Sequence, residues 1–262
     1  PRSTLFPYTT LFRSQLSIDG SIIGAEALIR WNHPTKGLIP PNAFIPIAEQ
    51  FGLIQKLQNI VLRDICILLE TLRADNVLKN QFNVSINISQ CQFNSSTLKG
   101  ELFKAIETYD VTPSQIKLEI TESMLAGDLM STVKQMKELK SQGFVFSIDD
   151  FGTGYSALSY LNQFPISVIK IDKSFIDNAL IGQSDAQLIK AIVMMGQSLE
   201  IPLVAEGIET QAQWDFLQSL GCDYAQGYLM SKPLTSQALV DFLEQDSKRA
   251  IAPLAKRVNS KR

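Results

Sequence analysis

Acidic side chains stand near the ends of several short apolar segments of this 262-residue chain. Glu26 lies in GAEALIRW, Glu119 in KLEITES, and Asp149 with Asp150 in FSIDDFGTG. Carboxylates that converge in a buried place repel one another and take up protons unless cations lie between them. Oxygen ligands of this kind favour Mg²⁺ or Mn²⁺. The other polar residues in comparable positions are Asn87, Lys170, Glu206 and Gln226.

The histidine and the cysteines of this chain give little support for other kinds of metal site. The lone histidine, His33, lies in the loop RWNHPTKG and cannot form the two-histidine metal sites of many hydrolases. Cys66, Cys91 and Cys222 are scattered, which predicts free thiols rather than a zinc cluster or a disulfide framework. Any single acid could be a surface ion pair or a helix cap, but matching positions on several segments argue against that interpretation.

Charge and composition limit the partners. The net charge is −2 and the isoelectric point is about 5.6, so we expect no polymeric nucleic acid as a partner. A small anionic ligand needs only local cations. No stretch has the length of a membrane span and no signal peptide is visible, which predicts a soluble, cytoplasmic domain without membrane contact.

Short apolar segments alternate with amphipathic ones, which is typical of parallel βα units. Strands are predicted at 24–31, 82–89, 116–122, 144–149, 168–172, 203–206 and 224–226. Thr210 and Gln213 form a capping box, and Gly221 ends the helix that follows. Asp19 and Gly20 predict a hairpin turn, with an eighth strand running antiparallel into the first of these. We therefore predict an α/β barrel of eight strands, with an open doubly wound sheet as the alternative.

The barrel would place the polar residues together. In 83–89, Val84 and Ile86 alternate with Ser85 and Asn87, so the two sets face opposite sides of the strand. Apolar residues would meet the outer helices, and the acids and amides would lie in the mouth of the barrel.

The two ends of the chain are expected to lie outside this domain. Residues 4–14, TLFPYTTLFRS, show no clean period and resemble the translation of a DNA-sequencing adapter, so residues 1–14 are expected to be a non-native segment. The domain is predicted to span 15–246. Residues 247–262 carry six Lys and Arg residues and are predicted to form a basic, flexible tail.

Seven motifs in order carry a family resemblance. The segments GAEALIRW, NVSINIS, LEITES, DDFGTGYS, IKIDKSFI, AEGIET and QGYLMSKPL, within residues 20–234, resemble the motifs of the EAL-domain phosphodiesterases. This resemblance implies a modified (β/α)₈ TIM-type barrel with one antiparallel strand. It also implies that the substrate is cyclic-di-GMP, which is opened to the linear dinucleotide pGpG.

The resemblance also implies a role for each site residue. Glu26, Asn87, Glu119 and Asp149 would hold one metal ion, and Asp150 would hold a second ion that shares Asp149.

The remaining roles concern catalysis and the substrate. Glu206 would help to hold or deprotonate the attacking water, and Lys170 would lie beside that water. Gln226 would line the pocket and Arg30 would contact a phosphate. Glu122 would hold the loop after Asp150 in its active shape, a loop that the family links to dimerisation, so a homodimer is expected.

Departures from the family and competing functions remain open. The family's opening strand carries a Tyr-Gln-Pro run that is absent here, which puts barrel closure and substrate affinity in doubt, and Ala157 replaces a common serine. A cyclic-di-GMP receptor of weak activity, a signalling scaffold and a metal-dependent aldolase or enolising barrel are the alternatives. A sensor or GGDEF domain is expected to have preceded this one.

Overall fold

The computed structural model describes residues 8–17, 19–77, 82–126, 128–154, 161–180 and 182–251. The adapter-like residues before Tyr8, the position of Ala157 and the tail beyond Ile251 lie outside these ranges.

Eight strands close into a barrel, and a ninth short strand lies outside it. The closure follows from the pairing of β1 with both β2 and β9, while β3 pairs with β2 alone. β1 is antiparallel to both neighbours, and all other neighbouring pairs in the barrel are parallel. The predicted modified (β/α)₈ barrel is confirmed, and the open sheet is wrong. The strands are β1 Tyr8–Ser17, β2 Ile22–His33, β3 Gly37–Ile39, β4 Asn83–Asn87, β5 Ile116–Thr121, β6 Val145–Phe151, β7 Val168–Ile171, β8 Leu203–Ala205 and β9 Tyr224–Ala225.

Helices cover the outside of the barrel, and their ends follow local rules. Gln213 N donates to Thr210 Oγ1 at 3.3 Å, which confirms the predicted capping box, and the helix ends at Gly221 with φ 78°. No helix in the described part of the chain is both long and apolar enough to cross a membrane. The helices are α1 Pro41–Gln50, α2 Ile54–Ala74, α3 Gln90–Phe93, α4 Leu98–Tyr109, α5 Leu129–Ser141, α6 Lys173–Asn178, α7 Gln183–Ser198, α8 Gln211–Leu220 and α9 Ser236–Ile251.

Strand β1 begins inside the segment that resembles a sequencing adapter. Phe12 is 1% exposed, and its backbone exchanges hydrogen bonds of 2.7 and 2.8 Å with Leu234. Thr10 Oγ1 donates to Asp64 of α2 at 2.8 Å. Residues from Tyr8 onward are therefore part of the barrel, and they supply the closure that the missing Tyr-Gln-Pro run had put in doubt. The non-native origin of residues 1–14 stays a prediction.

Several predicted boundaries shift by a few residues. β8 ends at Ala205 and β9 at Ala225, so Glu206 and Gln226 follow their strands rather than lying in them. At the other end of the chain α9 continues to Ile251, beyond the predicted start of the tail.

The two faces of the strands differ as predicted. Val84 and Leu118 point outward and are fully buried beneath the helices. Ser85, Lys117 and Ser147 point into the barrel, where they are buried as well. The barrel interior is thus lined by polar groups below its carboxyl-terminal mouth.

Candidate active site

Lys170 of β7 lies at the centre of the acidic cluster and is 1% exposed. Its Nζ lies 2.6 Å from Glu206 Oε1, 2.8 Å from Glu119 Oε2, 3.1 Å from Asp149 Oδ1 and 3.9 Å from Glu26 Oε1. These acids come from β2, β5 and β6 and from the residue after β8, so the contacts cross the barrel interior. The structure therefore brings together acids that are far apart in the sequence.

Glu26 is held by neutral amides as well as by cations. Asn87 Nδ2 donates to Glu26 Oε1 at 3.0 Å, and Gln226 Nε2 donates to Glu26 Oε2 at 2.5 Å. Arg13 Nη1 lies 3.9 Å from the same Oε2. Both oxygens of the carboxylate are thereby fixed in direction, and the amide oxygens of Asn87 and Gln226 point elsewhere.

Burial sets the protonation of two acids. Burial raises the pKa of Glu119 to about 7 and that of Glu206 to about 8, although Lys170 opposes the rise in both cases. Burial also works to raise the pKa of Glu26, but Lys170 and Arg13 outweigh it and hold that pKa below its ordinary value. The acids therefore differ in their readiness to hold a proton near neutral pH.

The cluster fits a divalent metal ion. Glu26, Glu119 and Asp149 each offer a carboxylate oxygen, and the three oxygens lie within 4.8 Å of one another. Hard oxygen donors in this number suit Mg²⁺ or Mn²⁺. Burial is the main cause of the raised pKa of Glu119, and the neighbouring Glu26 and Asp149 raise it further, so a cation among these acids would favour their charged forms.

Asp150 lies at the edge of this cluster. Its side chain is exposed and does not belong to the three-carboxylate group. The backbone at Asp150 is left-handed, with φ 54°, and its N–H donates to Asp149 Oδ1 at 3.0 Å. The pKa of Asp150 is raised, first by its partial desolvation next to the cluster and then by the negative charge of Asp149. The position is adjacent to the cluster and open to solvent.

Glu122 supports the loop that follows β6. It lies in a 3₁₀ turn after β5 and is 3% exposed. Its Oε2 accepts hydrogen bonds from Gly152 N at 2.9 Å and Gly154 N at 3.3 Å. Gly152 has φ 96°, a conformation that suits glycine. The carboxylate therefore fixes the chain just after Asp149 and Asp150.

Arg30 and His33 lie further along β2. Arg30 is half-buried, and its Nη1 donates to Ile29 O at 2.9 Å. Burial and then the nearby Arg13 lower the pKa of Arg30. His33 Nδ1 accepts from the backbone N–H of Thr35 at 3.2 Å, which is a local loop contact.

Two basic residues near the site were not predicted from the sequence. Arg13 belongs to the segment that was expected to be non-native, yet its guanidinium lies near Glu26 and 5.8 Å from the centre of the Tyr228 ring. Lys117 lies inside the barrel and is 4% exposed. Burial lowers the pKa of Lys117 to about 8. Its alternation with Glu119 in KLEITE was the signal that could have revealed it.

The fold and the site can be compared with known proteins. The family model of the EAL domain matches residues 9–233. The chain belongs to the EAL domain family. Its first matched residue, Thr9, lies in β1, in agreement with the extent of the barrel.

Two relatives of this chain are named as cyclic di-GMP phosphodiesterases. The chain is 39% identical to the bifunctional diguanylate cyclase/cyclic di-GMP phosphodiesterase MucR of Pseudomonas aeruginosa, over 86% of this chain and 33% of MucR. It is 38% identical to the cyclic di-GMP phosphodiesterase NbdA of the same organism, over 90% of this chain and 30% of NbdA. The chain thus spans about a third of the length of these relatives.

A solved EAL structure superposes closely. The PaMucR phosphodiesterase in its c-di-GMP complex matches with a TM-score of 0.85 and 37% identity, over 89% of this chain and 94% of that chain. A match over this share of both chains shows that the two proteins have the same fold.

Proposed function

We propose that this chain hydrolyses cyclic-di-GMP to linear pGpG with two Mg²⁺ or Mn²⁺ ions. The observation that carries the proposal is the convergence of Glu26, Glu119 and Asp149, whose oxygens lie within 4.8 Å of one another around the Lys170 ammonium. Membership of the EAL family and the names of MucR and NbdA support the substrate.

The metal ions would be held by groups that the structure gathers. Glu26, Asn87, Glu119 and Asp149 would bind one ion, and Asp150 with Asp149 would bind the other. When bound, such ions neutralise charge on phosphate oxygens and lower the pKa of water. The exposed position of Asp150 suits the ion that enters from the solvent side.

The chain's own residues would orient the reaction. Glu206, whose pKa burial raises to about 8, would accept a proton from water once bound cations favour its charged form, and could release the proton again. Lys170 would stabilise negative charge that develops on the phosphate, since its ammonium is buried and already fixed by acids. Arg30 would contact a phosphate oxygen, and Gln226 would line the pocket beside Glu26.

The wider protein is a further part of the proposal. We infer that a sensor or GGDEF domain accompanies this one, because MucR and NbdA are about three times as long as the matched region. Homodimer formation and a cytoplasmic location stay predictions.

The test is a hydrolysis assay on the purified chain. We expect the chain to convert cyclic-di-GMP to pGpG in the presence of Mg²⁺ or Mn²⁺, with the product monitored by chromatography. EDTA should abolish this conversion. Glu26→Ala should lower the rate by at least about 100-fold because it removes a ligand. Arg30→Ala should mainly raise KM, since it removes a binding contact. The exposed acid Glu107 on α4 provides a control, and Glu107→Ala should leave the rate unchanged.

Two outcomes would contradict the proposal. Conversion that persists in Glu26→Ala or in EDTA would exclude a metal-dependent reaction at this site. Binding of cyclic-di-GMP by the folded chain without any conversion would favour the receptor function instead.

A further inference from the structure

Lys117 is a second lysine inside the barrel, and it lies one layer below the acids. It belongs to β5 and faces the same side as Glu119, because one residue, the outward Leu118, separates them. Its Nζ lies 3.5 Å from Gln15 Oε1 of β1, a strand that does not neighbour β5. Only the barrel interior allows that contact. A positive charge is therefore fixed beneath the site.

The carboxylate of Glu119 attracts Lys117, but no described acid holds this lysine in a close ion pair. In the part of the chain that the structure describes, no ion pair within 4.0 Å involves Lys117, whereas Lys170 forms such pairs with several acids. The amide nitrogen of Gln15 and the hydroxyl of Ser85, which is the register partner of Lys117, are buried without a hydrogen-bond partner among the described residues. Lys117 thus has one long contact to a neutral group.

Charge balance suggests what this lysine does. Two divalent ions and Lys170 together carry as many positive charges as the five acids carry negative ones, and Arg13, 3.9 Å from Glu26, already adds one more. Lys117 adds a positive charge beyond that balance, and residues two apart on a strand are only about 7 Å apart. Charges at such distances still interact in a barrel interior, where water screens them less than at the surface. The five acids are Glu26, Glu119, Asp149, Asp150 and Glu206.

We propose that Lys117 weakens metal binding at the site above it by electrostatic repulsion, and so sets the metal affinity of this chain. This inference rests on the metal site of the proposed function. Lys117 would act through its charge and not as a ligand. Its ammonium lies 3.5 Å from Gln15 Oε1, the residue is 4% exposed, and no described acid lies within ion-pair distance of it.

The experiment measures Mn²⁺ affinity directly, on the whole chain without substrate, by calorimetric titration at constant pH. Lys117→Met and Lys117→Gln remove the charge, Lys117→Arg keeps it, and Lys104→Met removes an exposed charge on α4 as a control. We expect both neutral variants to bind Mn²⁺ about tenfold more tightly than the unaltered chain. Lys117→Arg and Lys104→Met should bind as the unaltered chain does.

Each other result overturns the inference. Equal or weaker Mn²⁺ binding by a folded neutral variant, with folding checked by thermal unfolding, means that the lysine does not tune the site. If neither neutral variant folds, Lys117 is a requirement of the fold and the proposal is wrong. A chain that binds Mn²⁺ as expected but leaves cyclic-di-GMP intact contradicts the proposed function alone. A chain that binds no Mn²⁺ contradicts both.

Discussion

Lys170 brings one positive charge into a site where carboxylates from four parts of the barrel meet. A buried ammonium is retained only when it is paired, and here the acids raise its pKa well above the ordinary value despite burial. The same pairing keeps Glu119 and Asp149 in place. At the scale of the residue, Lys170 therefore organises the acids before any metal binds.

Removal of this charge should destabilise the metal-free chain. We expect Lys170→Met to lower the free energy of unfolding by roughly 3 kcal/mol at pH 7 in EDTA, because buried acids lose their partner. Chemical denaturation measures the difference. Lys173, whose exposed ion pair with Glu209 is screened by water, is the matched control, and Lys173→Met should cost less than about 0.5 kcal/mol. Equal losses in the two variants would contradict the organising role.

At the scale of the element, the chain that leaves β6 after Asp149 and Asp150 is held by Glu122. Glu122 accepts hydrogen bonds from two backbone N–H groups of this loop, those of Gly152 and Gly154, which lie two and four residues after Asp150. The carboxylate is buried beside β5, so the loop is anchored to a neighbouring strand. The position of Asp150 therefore depends on a residue that is not itself a proposed ligand.

Loss of this anchor should reduce turnover more than metal affinity. We expect Glu122→Ala to lower kcat by about tenfold or more, since the loop loses its two hydrogen bonds. Glu122→Gln should be less affected because its amide oxygen still accepts. Assays of kcat together with Mn²⁺ titration separate the two effects, with Glu138→Ala on the exposed face of α5 as a control. A variant that loses all metal binding would show a wider structural role.

At the scale of the whole molecule, the acids buried in the barrel make the free energy of unfolding depend on pH. Glu119 and Glu206 have folded-state pKa values of about 7 and about 8, above their ordinary values. The folded chain therefore holds these protons more tightly than the unfolded chain does. The stability that they contribute is full below the ordinary pKa of glutamate and is lost as pH rises through 7 and 8. A bound cation would replace these protons.

The metal-free chain should accordingly become less stable between pH 6 and pH 8. We expect a decrease on the order of 2 kcal/mol in the free energy of unfolding, measured by denaturant titration in EDTA. Glu206→Gln should flatten this dependence, and Mn²⁺ should restore stability at pH 8. The lowered pKa of Lys117, about 8, acts in the opposite direction only above this range. Stability that rises steadily from pH 6 to pH 8 would contradict the burial of these acids.

The sequence by itself determined the class of fold and most of the acids. Strand alternation, the hairpin turn at Gly20 and the cap at Thr210 are local features, and the structure has all three, although some strand ends differ by a few residues from the prediction. The short strand β3 was missed, because three residues carry no period and its existence depends on pairing with β2.

Only the tertiary structure decided how the charges are arranged. The Lys170 contacts, the approach of Arg13 to Glu26 and the contact of Lys117 with Gln15 join residues from strands that are distant in the chain. Such contacts depend on the closure of the barrel by β1 and on its register, in which Arg13 lies opposite Glu26. Periodicity shows which face a residue occupies, but barrel closure and strand register together decide which residues meet across the interior.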